Sequence, residues 1–291
     1  MIQERAYGKI NLGLSIIGKR SDGYHRIDTV FQSIALHDTV YIEAADSFQL
    51  TCSQAALACN TSNLAYKAYA ALGAYRNKSS AAVHIHLEKR IPLAAGLAGG
   101  SADAAAVLRG LNRFWRLGLT AETLCHIGAT LGADVPFCVQ GGTQRGQGTG
   151  EVLTPMTPLP SWPVCILHPP VSVQTGMAYA WFDEQQVHEE VWMEKIVQSV
   201  QSADRERLSG CWGNSFESSV FPRVPAAAQC RNILKTHGLV PLLSGSGPTV
   251  FAFIPPTIAA SSFRRLQQEA NTAGIEVYRT HLVRGNGQND G

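Results

Sequence analysis

Along residues 9–17, KINLGLSII, apolar and polar side chains alternate, with Ile10, Leu12, Leu14 and Ile16 on one side and Lys9, Asn11, Gly13 and Ser15 on the other. A period of two predicts a strand with one buried face, and it brings out Lys9 and Asn11 on the same side about 6–7 Å apart. GKRSDGYH follows as a turn, with Asp22-Gly23 supplying the left-handed position, and then come two strand-like runs, IDTVFQSIAL and VYIEA, divided at His37-Asp38. Leu64, Ala68, Ala71, Leu72 and Tyr75 recur at helical spacing behind Thr61 or Ser62 as the cap. Alternation returns over 81–91, AAVHIHLEKRI. That strand runs straight into PLAAGLAGGSADAAAVL, residues 92–108, a stretch filled almost wholly by small residues.

Ala104, Val107, Leu108, Leu111, Phe114 and Trp115 then trace one face of an amphipathic helix that stops at Gly118. A second helix runs from a Thr120 cap to Leu131, and in the GADVPF that follows, Asp134 stands two residues before Pro136, where the chain is expected to turn extended. PMTPLPSWP, residues 155–163, holds four prolines and reads as a linker. Beyond it the pattern predicts a strand at VCILH, helices opening near Thr175 and over 189–202 and 225–237, strands at LVPLL and TVFAFI, a helix over 258–273 and a last strand, IEVYRTHLV. Strands and helices mix in both halves. The fold class is therefore α+β, with domains 1–157 and 158–284 meeting at a cleft and 285–291 as a disordered tail.

Composition narrows the partners. The 291 residues, 45% of them hydrophobic, suffice to bury two ordinary cores. Lys and Arg number 24 against 22 Asp and Glu, a balance that does not suit an electrostatic nucleic-acid binder but leaves small anionic ligands open. No apolar run approaches ~18 residues, and MIQERAYGKI carries charges where a signal peptide needs its apolar core, so no membrane partner is expected either. The seven cysteines are scattered and never spaced C-x-x-C, which fits reduced thiols in a cytoplasmic protein better than a disulfide framework or a structural zinc site.

Strand, glycine-bearing loop, then helix is an arrangement that aims backbone N–H groups and a helix N-terminus at phosphate. Gly96, Gly99 and Gly100 permit close approach, Ser101 can cap the helix or touch a phosphate or metal, and Ala94, Ala95 and Ala98 add little bulk. The loop lacks the closing Gly-Lys-Ser/Thr of a Walker A sequence and the G-x-G-x-x-G of a dinucleotide fold. By itself it is equally a phosphate loop or a small-residue helix packed tightly on a sheet. Ser244-Gly245-Ser246-Gly247, wedged between two apolar runs, is either an ordinary hairpin or a second glycine turn offering amides to the same ligand.

A glycine-bearing loop paired with a C-terminal glycine turn resembles the GHMP kinase superfamily, and PLAAGLAGGSADAA is similar to the ATP loop of its branch acting on a cytidine-diphosphate-linked methylerythritol. YGKINLGLSI, DGYHRIDTVFQSIALHD, GADVPF and SGSGPTVFAF resemble stretches of that branch in the same order, covering the chain from about residue 5 to residue 255. DGYH is the most discriminating, because galactokinases, homoserine kinases and mevalonate kinases do not share it in this setting. The resemblance implies an N-terminal ATP-loop domain, a ferredoxin-like C-terminal domain and ATP-dependent phosphorylation of the acceptor's 2-hydroxyl in non-mevalonate isoprenoid synthesis, with Mg²⁺ as cofactor. A monomer or weak homodimer is expected.

The same resemblance implies roles for individual residues. Asp134 is the catalytic base, and Lys9 keeps it ionised and stabilises charge on the phosphoryl oxygens. Pro92, Leu93, Ala94, Ala95, Gly96, Leu97, Ala98, Gly99, Gly100, Ser101 and Ala102 surround ATP together with Gly245, Ser246 and Gly247, and Ser101 is the candidate Mg²⁺ ligand. Tyr24 stacks on cytosine, His25 hydrogen-bonds it, Tyr179 lies on the base's other side, and Asn11 and Thr175 meet the rest of the acceptor, Thr175 also as a helix cap. Departures are small. Ala94 and Ala98 stand where the family often has glycine, Ala102 where it has serine, and NSFE at Asn214–Glu217 replaces a commoner Asn-Asp-Leu-Glu, leaving Asn214 and Ser215 without an assigned role. His84 and His86 read as an exposed strand face, RGQGTGE as a hairpin, and Trp192 and Met193 as helix packing.

Overall fold

The computed structural model describes residues 1–76, 80–185 and 192–285. The expected tail beyond Gly285 and the start of the helix expected over 189–202 lie outside the described residues.

The first sheet is built on two long strands, β1 (Ile2–Lys19) and β2 (His25–Ala45), paired antiparallel through a turn at 20–24. β2 runs unbroken through His37-Asp38, where the sequence reading divides it. Its extra length lets one end pair with β5 (Thr143–Gln147) and the other with β4 (Ala82–Glu88), while β3 (Gln49–Cys52) adds to β4 and β6 (Val152–Pro155) to β5. β3, too short and polar to show a period, is absent from the sequence reading.

Four helices cover this sheet: α1 (Leu64–Gly73), α2 (Gly99–Phe114), α3 (Ala121–Ala129) and α4 (Val135–Gln140). Val40, Ile42, Val83, Ile85 and Leu87 meet Ala65, Ala68, Leu72, Ala104, Val107, Leu108 and Leu111 in one core. The small residues of α2 have a packing reason, since a Cβ on Gly110 would lie 2.6 Å from Ile42 Cδ1. Asn63, not Thr61 or Ser62, caps α1, accepting from the Ala65 amide; Thr120 caps α3 as expected. GADVPF does not turn extended: Asp134 holds helical dihedrals and α4 begins at once, with Pro136 in its first turn, where the missing N–H is no loss.

The second sheet comprises β7 (Pro163–His168), β8 (Leu242–Leu243), β9 (Val250–Phe253) and β10 (Glu276–His281), in the antiparallel order β10-β7-β9-β8. That order is ferredoxin-like. Between its strands lie α5 (Thr175–Asp183), α6 (Met193–Gln201), α7 (Arg205–Cys211), α8 (Glu217–Arg223), α9 (Pro225–Thr236) and α10 (Ala260–Thr272). α7 and α8, seven residues each, are too short to establish a helical period and are not expected from the sequence. LVPLL contributes only two strand residues before the glycine turn takes the chain away.

Both faces of the second sheet are covered. Cys165, Leu167, Val250 and Ala252 face α9 and α10, whereas Val164, Ile166, Phe251 and Phe253 join Ile10, Leu12, Val30 and Ile34 of the first sheet and Ile196 and Val200 of α6 in a core between the sheets. The proline-rich linker is part of that core through buried Leu159. After β10 the chain returns to β2, where the Val283 amide donates to Ser33 O. Burial therefore reaches the supposedly polar side of β1: Lys9, Asn11 and Ser15 are all buried, since this strand lies between the domains rather than at the surface.

Candidate active site

A cavity of about 790 Å³ opens where the two sheets meet, lined by both glycine turns, Lys9, Asn11, Tyr24, His25, Asp134, Thr175 and Tyr179. The end at the two glycine turns, where the sequence leads one to expect phosphate, is made of backbone. Ala94, Gly96 and Ala98 all adopt left-handed dihedrals, at φ 51°, 72° and 58°. Through this zigzag the chain leaves β4 and enters α2 with no side-chain cap; Ser101 is therefore not the cap, and the amides of the first turn have no partner within the helix. At Gly96 the two turns touch: a Cβ there would sit 2.4 Å from Ser244 O, and Ser244 Oγ donates to Gly96 O at 3.1 Å. The Lys9 amide donates to Leu97 O at 3.0 Å, tying the loop to β1.

Beneath Gly99 lies a buried charge cluster that the sequence reading does not contain. Lys89 donates to Asp38 Oδ2 at 2.5 Å and to Asp103 Oδ2, while Asp38 Oδ1 accepts from the Arg90 and Ile91 amides. Burial pulls the Lys89 ammonium down, but the two carboxylates together outweigh it and leave it raised. Burial pushes Asp103 up to about 7 against the pull of Lys89, and its Oδ1 has no hydrogen-bond partner.

At the centre, Lys9 Nζ stands 3.9 Å from Asp134 Oδ2 and donates to Asn11 Oδ1 at 2.8 Å. Asn11 Nδ2 donates to Thr29 Oγ1, which donates to Gly13 O. Asn11 thus spends both ends of its amide on this chain and fixes the ammonium, with Thr29 as the support that sequence reasoning missed. Asp134, one-third exposed, occupies the N-cap position of α4 without capping it, so its carboxylate is left to the cavity.

The opposite end, where the sequence leads one to expect the base, is made of side chains. Tyr24 is 67% exposed at the rim. His25 is buried, its ring stacked on Tyr179 at 4.4 Å between centroids and 11° between planes, and Tyr179 in turn meets Phe216 edge-on. His25 Nε2 lies 2.6 Å from Asp183 Oδ1, and Lys19 Nζ lies 2.5 Å from Asp183 Oδ2. Burial pushes the Tyr179 hydroxyl up to about 12. Thr175 is the first residue of α5 behind an N-cap at Gln174, not the cap itself, and its hydroxyl lies 3.2 Å from Ser246 Oγ, linking α5 to the second glycine turn.

A family model described as GHMP kinases N terminal domain matches residues 63–142. A protein of Alkaliphilus metalliredigens called 4-diphosphocytidyl-2-C-methyl-D-erythritol kinase is 36% identical over 97% of this chain and 96% of its own length; one of that name from Synechococcus is 41% identical over 89% and 87%. The chain belongs to the 4-diphosphocytidyl-2-C-methyl-D-erythritol kinase family of GHMP kinases. A crystal structure of 4-(cytidine 5'-diphospho)-2C-methyl-D-erythritol kinase superposes with a TM-score of 0.78 at 31% identity, covering 97% of this chain and 99% of that one. Homoserine kinase from Cytophaga hutchinsonii shares the fold at a TM-score of 0.73 and 16% identity.

In this small-molecule kinase the matched segment 63–142 contains the first glycine loop and Asp134, but not Lys9, the Tyr24-His25 turn or the second glycine turn. Asn214 braces that second turn, its Nδ2 donating to Leu243 O and Gly245 O at 2.8 Å each, while Ser215 Oγ accepts from the Ile16 amide. Both residues hold the kinase's walls together. His84 and His86 each lie within 2.8 Å of Thr51 Oγ1 on the first sheet, and among the described residues no group of three or more His, Cys, Asp or Glu could hold a metal ion.

Two misses had a signal in the sequence. Thr175, Tyr179 and Asp183 are spaced i, i+4, i+8, which sets all three on one helix face toward the cavity. Lys19 ends the strand that carries Lys9. Lys89, Asp38 and Asp103 had none, because their meeting depends on how β2, the end of β4 and α2 converge.

Proposed function

We propose that this kinase transfers the γ-phosphoryl group of ATP to the 2-hydroxyl of 4-diphosphocytidyl-2-C-methyl-D-erythritol, a step of non-mevalonate isoprenoid synthesis. The observation that carries the reading is the joining, in one cavity, of two abutting glycine turns, the Lys9–Asp134 pair and the Tyr24-His25 turn. ATP phosphates lie against the free amides that open α2 and against the Gly245–Gly247 turn. Asp134 accepts the acceptor hydroxyl's proton. Lys9, held by Asn11, stands beside that carboxylate and faces the charge that develops on the phosphoryl oxygens. Since phosphoryl transfer passes through a loose transition state, alignment and charge stabilisation outweigh proton removal.

Mg²⁺ fits as a companion of ATP rather than as a resident of a protein cage. Ser101 lines the cavity, its hydroxyl has no hydrogen-bond partner among the described residues, and it is the side chain that would hold the ion beside the phosphates. When bound, the ion supplies neutralisation of phosphate charge. Tyr24 stacks on the cytosine, His25 reads its edge, and Tyr179 and Thr175 complete the acceptor's walls. The reading extends to a division at residues 157 and 158, a cytoplasmic setting suited to seven free thiols, and a monomer or weak homodimer with no nucleic-acid or membrane partner. Incubation with Mg-ATP and the cytidine-diphosphate acceptor, beside mevalonate and homoserine, tests the assignment. ADP release is expected with the first alone, and its absence there from folded protein overturns the reading.

A further inference from the structure

The base end holds a titratable cluster that phosphoryl transfer does not use. Asp183 ends α5, where the helix dipole disfavours an anion, so its carboxylate is held by what it meets outside the helix. Those partners are Lys19 on Oδ2 and His25 Nε2 on Oδ1. The bond from Lys19, followed by that from His25, holds the Asp183 carboxyl below its ordinary range, so it remains an anion. An ionised carboxylate only accepts hydrogen bonds, and a contact of 2.6 Å therefore places a proton on Nε2. In a neutral ring that proton leaves Nδ1 as a bare acceptor, and Nδ1 has no hydrogen-bond partner among the described residues. Tyr179, stacked on the ring, stops it from flipping to exchange the two nitrogens.

An acceptor on the cavity wall distinguishes two otherwise similar pyrimidines. The 4-amino group of cytosine donates, whereas the 4-oxygen of uracil accepts and would meet Nδ1 lone pair to lone pair. We propose that Asp183, clamped by Lys19, is a positioning residue that holds His25 in the Nε2-protonated tautomer and thereby makes the base pocket select a 4-aminopyrimidine over a 4-oxopyrimidine. This rests on the assignment of the acceptor given above. The carboxylate acts through the imidazole and touches no reacting atom.

The test compares the cytidine-diphosphate acceptor with its uridine counterpart, in the wild-type enzyme and in Asp183→Asn and Asp183→Glu, with ¹⁵N-labelled histidine reporting the tautomer. A site built to pair with one hydrogen-bonding edge rejects the mismatched one strongly, so a wild-type preference above about 100-fold in kcat/KM is expected. An amide at position 183 can donate to Nε2, which admits the other tautomer. Asp183→Asn should therefore cut the preference at least about ten-fold, mainly through the KM of the cytidine acceptor, and shift the Nδ1 resonance toward the protonated form, with Asp183→Glu restoring part of both. A wild-type spectrum with the proton on Nδ1, or an unchanged preference in Asp183→Asn, overturns the proposal. If the wild type turns over neither acceptor, the function reading falls, and titration of the labelled protein with CDP and UDP still decides selectivity, equal affinities overturning it.

Discussion

The two ends of the cavity are built from different materials. At the proposed phosphate end the cavity-facing surface is backbone, bent through three left-handed residues and underlain by the buried Lys89, Asp38 and Asp103. At the base end it is side chains on a turn and a helix, with Tyr24 and Lys19 more than half exposed. Phosphate offers the same oxygens to any kinase, and a rigid array of amides meets it without selection. A base must be told from its relatives, which takes donors and acceptors whose identity the sequence can change. Substitutions at the first end should therefore change rate or stability, and those at the second should damage recognition while the fold stands.

The sharpest break is expected between the two ends, at Asp134. Its carboxylate has Lys9 as its partner and caps no amide, so Asp134→Asn should leave the melting temperature nearly unchanged while kcat falls roughly 10²–10⁴-fold. Thermal melting beside ADP release checks both halves. A variant with full activity would remove Asp134 from the chemistry. Next in size, Tyr24→Ala tests the base end alone: losing one stacked base contact costs about 1–3 kcal/mol. That loss should be seen in the KM of the cytidine acceptor, with the KM for ATP and the melting temperature held.

The phosphate end can be probed through its buried charge. Asp103 is raised from 3.8 to about 7, so between those values the folded protein binds more proton than the unfolded chain, and stability falls as pH rises through that window. Lys89, raised, stays charged throughout. Asp103→Asn keeps the shape and cannot ionise. Its stability should match the wild type near pH 4 and exceed it progressively up to pH about 7, as read from denaturant midpoints across pH. Parallel curves would show that the cluster carries no strained proton.

How much of this was legible in the sequence follows the same division. Alternation located β1 and β4, continuous apolar runs located β7 and β9, whose two faces are both buried, and apolar patterning located α2, α3, α9 and α10. The ambiguity of PLAAGLAGGSADAAAVL resolves by position: Gly96 and Ala98 to Ser101 line the cavity, Leu97 is buried in the core between the sheets, and Gly110 shows the same helix packed hard on β2. The continuity of β2 through His37-Asp38 was hidden because Asp38 is buried there by Lys89 and two amides, contacts that no local pattern contains. Lys9 and Asn11 read as an exposed face for a similar reason. Period two says that two faces differ, not that a second domain covers the polar one.

The smallest effect concerns the alanines of the first loop. Ala98 sits at φ 58°, a conformation that costs a residue with a Cβ about 1–2 kcal/mol. Glycine would remove that strain but enlarge the unfolded ensemble, which offsets about 0.4–1 kcal/mol of the gain. The balance favours Ala98→Gly by about 0–1.6 kcal/mol, or a rise of up to about 3–6 °C in melting temperature, with ATP affinity nearly unchanged. Gly99→Val is the contrasting control, because a Cβ there would lie 3.1 Å from Ile91 Cγ2 and 3.6 Å from Lys89 Nζ, pressing on the buried charge from above. A fall in melting temperature for Ala98→Gly would mean that the alanines are retained because the restriction they place on the unfolded loop outweighs the strain in the folded one. The phosphate end would then owe its rigidity to residue choice as well as to backbone shape.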